Sequence, residues 1–175
     1  MAFVACGRQQ ATTEQLPTCH ARRMAARTIN GIAGLKELVG EHLGYSDYVE
    51  ITQAQVNLFA EATGDHQWIH VDVERANAGP FGGPIAHGYL TLSLGPQLGP
   101  QIYQVEGISM GVNYGTQKVR FPSPVPVGSK LRLGATLLDV TDVAEGAQIT
   151  MEFVFEVDGA SKPSCVAQVI FRYYA

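Results

Sequence analysis

The sequence predicts an α+β fold, a curved antiparallel sheet wrapped around one buried helix. Two observations carry this reading. From about residue 105 the chain runs through segments rich in Val, Ile, Phe and Thr, separated by turn signals. Ahead of them lies Pro84-Ile85-Ala86-His87-Gly88-Tyr89-Leu90-Thr91-Leu92-Ser93-Leu94, whose apolar residues keep to no single face. A helix of that pattern is expected to be buried nearly all round. A length of 175 residues, with 46% hydrophobic and 16% charged, suits one packed domain with a sizeable core.

The elements follow in order. Residues 1–23 are rich in Gln, Thr, Ala and Arg, show no periodicity and read as a flexible leader; a single domain is expected over residues 24–175. Met24 is the expected native start, because pattern begins just after it. Ile32, Leu35, Leu38, Val39 and Leu43 are spaced as a short amphipathic helix that Gly44 would end. Tyr48-Val49-Glu50-Ile51 alternates like an edge strand. Thr52 with Gln55 three residues later is a capping-box signature ahead of a helix over residues 53–62. Gly64 stands where a helix C-terminal glycine belongs. Residues 63–83 read as a loop-rich stretch. Pro84 suits the first turn of the buried helix, and Pro96 marks the region of its end. Strands are expected over residues 105–114, 117–121, 130–140, 148–157 and 164–173, with turns at Glu145-Gly146 and Asp158-Gly159. Pro122, Pro124 and Pro126 lack N–H donors, so their segment is an edge or a connection.

A formal net charge of −4 with scattered basic residues excludes a nucleic-acid footprint. No apolar run approaches the roughly 18 residues a bilayer span requires. The opening Met1-Ala2-Phe3-Val4-Ala5-Cys6 lacks a basic leader and stops at Gly7-Arg8, too short for a signal peptide. Cys6, Cys19 and Cys165 share no pairing or metal-ligand spacing, so a reduced, cytoplasmic protein is expected. Cys165 reads as a small core residue.

The densest polar chemistry sits in Gly64-Asp65-His66-Gln67-Trp68-Ile69-His70. Asp65 and His70 lie directly after a helix end, with bulky Trp68-Ile69 between them. This arrangement can hold a carboxylate and an imidazole against one small pocket. Histidine serves as a general base near neutral pH, and a nearby carboxylate stabilises its charged form. Either residue alone more often caps a helix or faces solvent. His87-Gly88, at the start of the buried helix, is the second element. Helix-start N–H groups lack intrahelical partners and could stabilise an enolate-like oxygen; Gly88 equally permits tight helix packing. His66 and His70 have a chelating spacing on a helix, but their segment follows Gly64 and lacks helical periodicity, so no metal is expected.

The segment Phe59-Ala60…Thr63-Gly64-Asp65…His70, followed by Ile85-Ala86-His87-Gly88, resembles the MaoC-like hydratases. These are R-specific enoyl-CoA hydratases of the hotdog fold, and the likeness is nearest to the nodulation-protein-N-type branch found in actinobacteria. Asn113-Tyr114-Gly115…Lys118-Val119-Arg120-Phe121-Pro122…Pro126-Val127-Gly128 resembles the family's strand after the central helix. The resemblance implies a long central helix wrapped by an antiparallel sheet, and a homodimer with one continuous sheet. It implies Asp65 and His70 as catalytic residues and Gly88 at the oxyanion position, with His87 and Gln67 as further substrate-binding candidates. It implies no metal or redox cofactor, coenzyme A entering only as part of the substrate. Many members carry Asn-Pro where this chain has Gln67-Trp68.

The expected function is R-specific hydration of a trans-2-enoyl-CoA to a 3-hydroxyacyl-CoA, or the reverse dehydration, in fatty-acid metabolism. An acyl-carrier-protein thioester is an equal candidate for the carrier. Two alternatives stand beside it: a hotdog thioesterase, and a non-catalytic acyl-thioester-binding subunit.

Overall fold

The computed structural model describes residues 26–174, so the leader read over residues 1–23 and the start at Met24 lie outside the described residues. Fourteen labelled elements follow in chain order. They are β1 (Arg27–Asn30), α1 (Gly31–Lys36), β2 (His42–Tyr45), β3 (Val49–Glu50) and α2 (Gln53–Thr63). Next come α3 (Trp68–Val71), α4 (Val73–Asn77), α5 (Gly88–Ser93) and α6 (Gly95–Leu98), with a 3-10 turn at Gly99–Gln101. The chain closes with β4 (Tyr103–Glu106), β5 (Met110–Arg120), β6 (Lys130–Val143), β7 (Gly146–Val157) and β8 (Cys165–Tyr174).

Period-two alternation builds the sheet. Leu131, Leu133, Ala135 and Leu137 of β6 are buried, as are Met151, Phe153 and Phe155 of β7 and Cys165, Ala167 and Val169 of β8. Because successive side chains point to opposite faces, these residues share one face and form the core wall. The pairing register aligns Leu133 with Phe155 and Phe153 with Ala167. The sheet runs β2-β6-β7-β8-β5 with β3 also on β6, and its pairs are antiparallel. A separate parallel pair joins β1 to β4.

The expected single helix is instead three consecutive short helical pieces, α5, α6 and the 3-10 turn. Pro96 and Pro100 cause the interruptions, since neither has an N–H to donate back to the preceding turn. The run is also not buried all round. Leu90, Leu94 and Leu98 form a stripe facing the core, whereas Tyr89 is 71% exposed. At Gly95 an added Cβ would lie 3.2 Å from the Phe153 ring, so glycine lets the helical run approach the sheet closely. Pro84 does not open the helix. Ile85 pairs with Pro126 in an isolated antiparallel bridge, and α5 starts only after His87.

Other boundaries shift for identifiable reasons. The first helix stops at Lys36; Gly40, at φ 90°, turns the chain, and the segment around Gly44 becomes β2. The loop-rich stretch contains α3 and α4. Strand 105–114 splits into the end of β4 and the start of β5, because Gly107 at φ 69° makes a turn. Strand 117–121 is part of β5, whose register shifts absorb irregularity without ending the strand. The prolines 122–126 occupy the connection from β5 to β6, as expected.

The Thr52 capping box forms as the sequence indicates. The Thr52 side chain accepts from the Gln55 N–H at 3.2 Å, and the Gln55 side chain accepts from the Thr52 N–H at 2.9 Å. Thr52→Ala removes one half of this cap and should lower stability by about 1 kcal/mol, measured by urea unfolding.

Candidate active site

The site begins where α2 ends. Gly64 takes the left-handed conformation at φ 76°, and its N–H donates to the Ala60 carbonyl at 2.8 Å. This reversal throws Asp65 off the helix axis. The Asp65 Oδ1 accepts from the Gln67 N–H at 3.3 Å, a local turn that leads into α3. One helical turn then carries His70 inward, where it is buried. The Gln53 side chain of α2 donates to the His70 main-chain carbonyl at 2.8 Å, tying α3 to α2. Trp68 packs on Gly79, where an added Cβ would lie 2.9 Å from its ring, and Arg75 covers it at 4.4 Å. The bulk of Trp68 is thus taken up by the loop itself.

Two histidines meet at the centre. The His70 and His87 rings stack with centroids 3.9 Å apart and planes 28° from parallel. His70 Nδ1 lies 2.7 Å from the Ile85 carbonyl, which can only accept, so Nδ1 carries the proton and Nε2 keeps its lone pair. His87 Nε2 lies 2.9 Å from the Asp65 main-chain carbonyl; here Nε2 carries the proton, and Nδ1 is buried without a partner. Burial pushes the His70 pKa below its ordinary 6.5; the Ile85 bond opposes this, His87 adds to it and the Asp65 charge opposes it. His70 is therefore a neutral imidazole with an available lone pair near neutral pH.

A cavity of about 350 Å³ opens beside His70, with Ile85, Gly88, Thr91, Phe121 and Ser164 in its wall. Gly88 leaves room for the Phe121 ring there: an added Cβ would lie 3.1 Å from its ring atoms, so the ring would have to shift. Asp65, His70 and His87 each present a donor atom within 4.8 Å of the others, so the structure brings these three together. Gly88 shares the cavity wall with His70. His87 lies behind His70, only 2% exposed. Gln67 sits on the exposed side of the loop.

The four-apart chelate is not formed, because His66 faces Glu61 at 3.9 Å on the surface. Among the described residues, the set that could meet a cation is Asp65, His70 and His87. Their ring planes are nearly parallel, so the in-plane lone pairs run side by side and do not converge about 2 Å from both nitrogens. Sequence reasoning missed the His70–His87 stack and the walls supplied by Phe121, Thr91 and Ser164. Phe121-Pro122 stood out in the sequence, but no local pattern tied it to Gly88.

The MaoC like domain family matches residues 35–157, which include Asp65, His70, His87 and Gly88. The chain belongs to this MaoC-like dehydratase family. Among MaoC-like relatives, 3-hydroxyacyl-thioester dehydratase Z of Mycobacterium tuberculosis is 55% identical over 150 residues, covering 85% of this chain and 99% of the relative. Nodulation protein N of Rhizobium meliloti is 42% identical over 149 residues, covering 79% of this chain and 88% of the relative. The solved monoamine oxidase regulatory protein from Archaeoglobus fulgius shares the fold at TM-score 0.70 and 23% identity, over 87% of this chain and 99% of that one. The R-hydratase PhaJ1 from Pseudomonas aeruginosa does so at TM-score 0.66 and 22% identity, over 82% and 85%. The MaoC-like chain therefore has the hotdog fold, with an α+β architecture.

The lowered His70 pKa has a consequence for stability. The unfolded chain binds this proton more readily than the folded one, so protonation favours unfolding. The stability tied to neutral His70 is present above 6.5 and lost as pH falls through that value towards the lower folded one. The melting temperature should drop as pH falls through 6.5, and His70→Gln should flatten that part of the slope.

Proposed function

We propose that this chain catalyses R-specific hydration of a trans-2-enoyl thioester to a 3-hydroxyacyl thioester, or the reverse dehydration. The observation that carries the reading is the bond from His70 Nδ1 to the Ile85 carbonyl. It leaves Nε2 as a lone-pair base, on a residue that brings a ring nitrogen within 4.8 Å of an Asp65 carboxylate oxygen and shares the cavity wall with Gly88. The names of the relatives point the same way, since they include a 3-hydroxyacyl-thioester dehydratase and R-hydratases.

In the proposed hydration, Asp65 orients a water and His70 Nε2 takes its proton. The water oxygen bonds to the β-carbon. The π electrons move onto the thioester oxygen, where the Gly88 N–H steadies the enolate. The coupled Asp65–His70 pair returns a proton to the α-carbon, and the carbonyl re-forms. No metal or redox group is required, because the thioester carbonyl already activates the β-carbon. Coenzyme A or acyl carrier protein enters as the carrier of the substrate. The Gln67 amide stands at the solvent side of the loop, where it can meet the carrier end of the thioester.

We also propose a homodimer in the cytoplasm. β5 pairs only with β8 among the described strands, so its other edge is open, and Met110 along it is exposed. An open edge of this kind suits pairing with a second copy. No described helix is long and apolar enough to cross a membrane.

The test follows crotonyl-CoA in the ultraviolet alongside a free-thiol assay. Loss of the conjugated double bond without thiol release supports hydration; thiol release without hydration points to a thioesterase and overturns the proposal. Asp65→Asn and His70→Gln should each lower kcat by at least roughly a hundredfold with the circular dichroism spectrum retained. Near-normal turnover in either variant would refute the assigned pair.

A further inference from the structure

We propose that His87 is a positioning residue: one imidazole holds the Asp65 main chain through Nε2 and the His70 ring through its face, while its own peptide carries Gly88. The inference rests on the hydration reading for its catalytic consequence, and on three contacts for its geometry.

The first contact is the 2.9 Å hydrogen bond from His87 Nε2 to the Asp65 carbonyl. Asp65 is exposed and sits on a loop between two helices, so its main chain needs an anchor if the carboxylate is to keep one place. His87 supplies that anchor from 22 residues away in sequence. The second is the stack on His70 at 3.9 Å. The Ile85 carbonyl fixes one point of the His70 ring but leaves rotation about that bond; a flat neighbour against its face removes it. The third is covalent. His87 is the residue before Gly88 and the N-cap of α5, so the peptide bond that carries the Gly88 N–H starts from the residue whose ring is held between Asp65 and His70.

The same residue is poorly placed to touch a substrate. Its ring is 2% exposed, Phe59 packs against it at 5.0 Å, and the cavity wall contains His70 and Gly88 but not His87. Its Nδ1 is buried without a partner, which costs stability. An apolar residue of similar shape would avoid that cost, so the gain lies in what Nε2 and the ring face hold in register.

His87 also acts on the base electrostatically. The charged or titratable groups that act on His70 are the Asp65 carboxylate, from the loop after α2, and His87, from the start of α5; the Ile85 carbonyl brings no charge. Asp65 favours the protonated base and His87 disfavours it. Removing His87 takes away one of the two influences that lower the His70 pKa and leaves burial as the other, so His70 should titrate at higher pH.

Two variants separate the contributions. His87→Phe keeps a flat ring but loses the donor to Asp65. His87→Gln keeps a donor and a planar group. With crotonyl-CoA, His87→Phe should lose at least roughly tenfold in kcat with KM within about twofold, and the acidic limb of its pH profile should move up. His87→Gln should stay within about threefold of the unaltered protein. Histidine nitrogen NMR reads the geometry without turnover. His70 should hold its proton on Nδ1 and His87 on Nε2, and the His70 midpoint should rise in His87→Phe. A folded His87→Phe with normal kcat, or a defect confined to KM, would overturn the inference. So would a large loss in His87→Gln, which still decides the matter should His87→Phe not fold. An unaltered protein that does not hydrate crotonyl-CoA would sink the hydration reading, while the NMR tautomers and midpoints would still decide the role of His87.

Discussion

The Ile85 carbonyl accepts the His70 Nδ1 proton at 2.7 Å, and the position of that carbonyl organises the whole site. The segment around it is held on two sides. The Ile85 N–H donates to the Ile69 carbonyl at 3.0 Å, joining it to α3. The Ala86 N–H donates to the Val125 carbonyl at 2.8 Å, joining it to the proline-rich connection. That connection is itself fastened to the strand-like stretch before α2, through the Gly128 N–H to the Ile51 carbonyl at 2.7 Å. An extended strip at residues 84–87 is thus clamped between the loop that carries His70 and the segment that carries Phe121. This explains why Pro84 does not start a helix. A helix there would turn the Ile85 carbonyl into its own ladder and leave the buried His70 Nδ1 without an acceptor.

The clamp also accounts for what the sequence could and could not disclose. Alternation in β6, β7 and β8 was legible because one buried face imposes a period of two. The Thr52 and Gly64 ends of α2 were legible because capping chemistry is local. The pair Asp65 and His70 was legible because both lie on one short loop. Contacts spanning long separations were not. Nothing near His70 in sequence signals the His87 ring 17 positions on, and nothing near Gly88 signals Phe121. The helical run was misread for a different reason. The apolar residues over 84–94, which keep to no single face, read as one helix buried nearly all round, but Ile85 belongs to a bridge and Pro96 and Pro100 divide the remainder. A backbone hydrogen bond to a distant segment outweighed local propensity.

Stability and site geometry compete in this small volume. A buried imidazole nitrogen without a partner costs about 1–3 kcal/mol, and a buried base held below its ordinary pKa favours unfolding as pH falls. The compensating term lies in the sheet. Leu131, Leu133, Leu137, Met151 and Phe155 have no exposed surface, and each contributes about 1.5–3 kcal/mol by burial. That apolar wall is continuous through Leu90, Leu94 and Leu98 to the helix whose first residue is Gly88. The cost at the site is therefore offset by an element anchored in the core.

The burial asymmetry of the pair bears on the direction of the proposed reaction. Asp65 is exposed and His70 is buried, so the lowered pKa resides on the imidazole. A neutral base at first points to hydration, since hydration begins with proton removal from water. The balance of atoms says otherwise. The proton that leaves the water oxygen is matched by one that reaches the α-carbon, so Asp65 and His70 end each turnover in the charge state in which they began. The lowered pKa therefore scales the population competent for both directions equally. The site sets the height of the shared barrier, and the relative concentrations of enoyl and 3-hydroxyacyl thioester set which way the reaction runs.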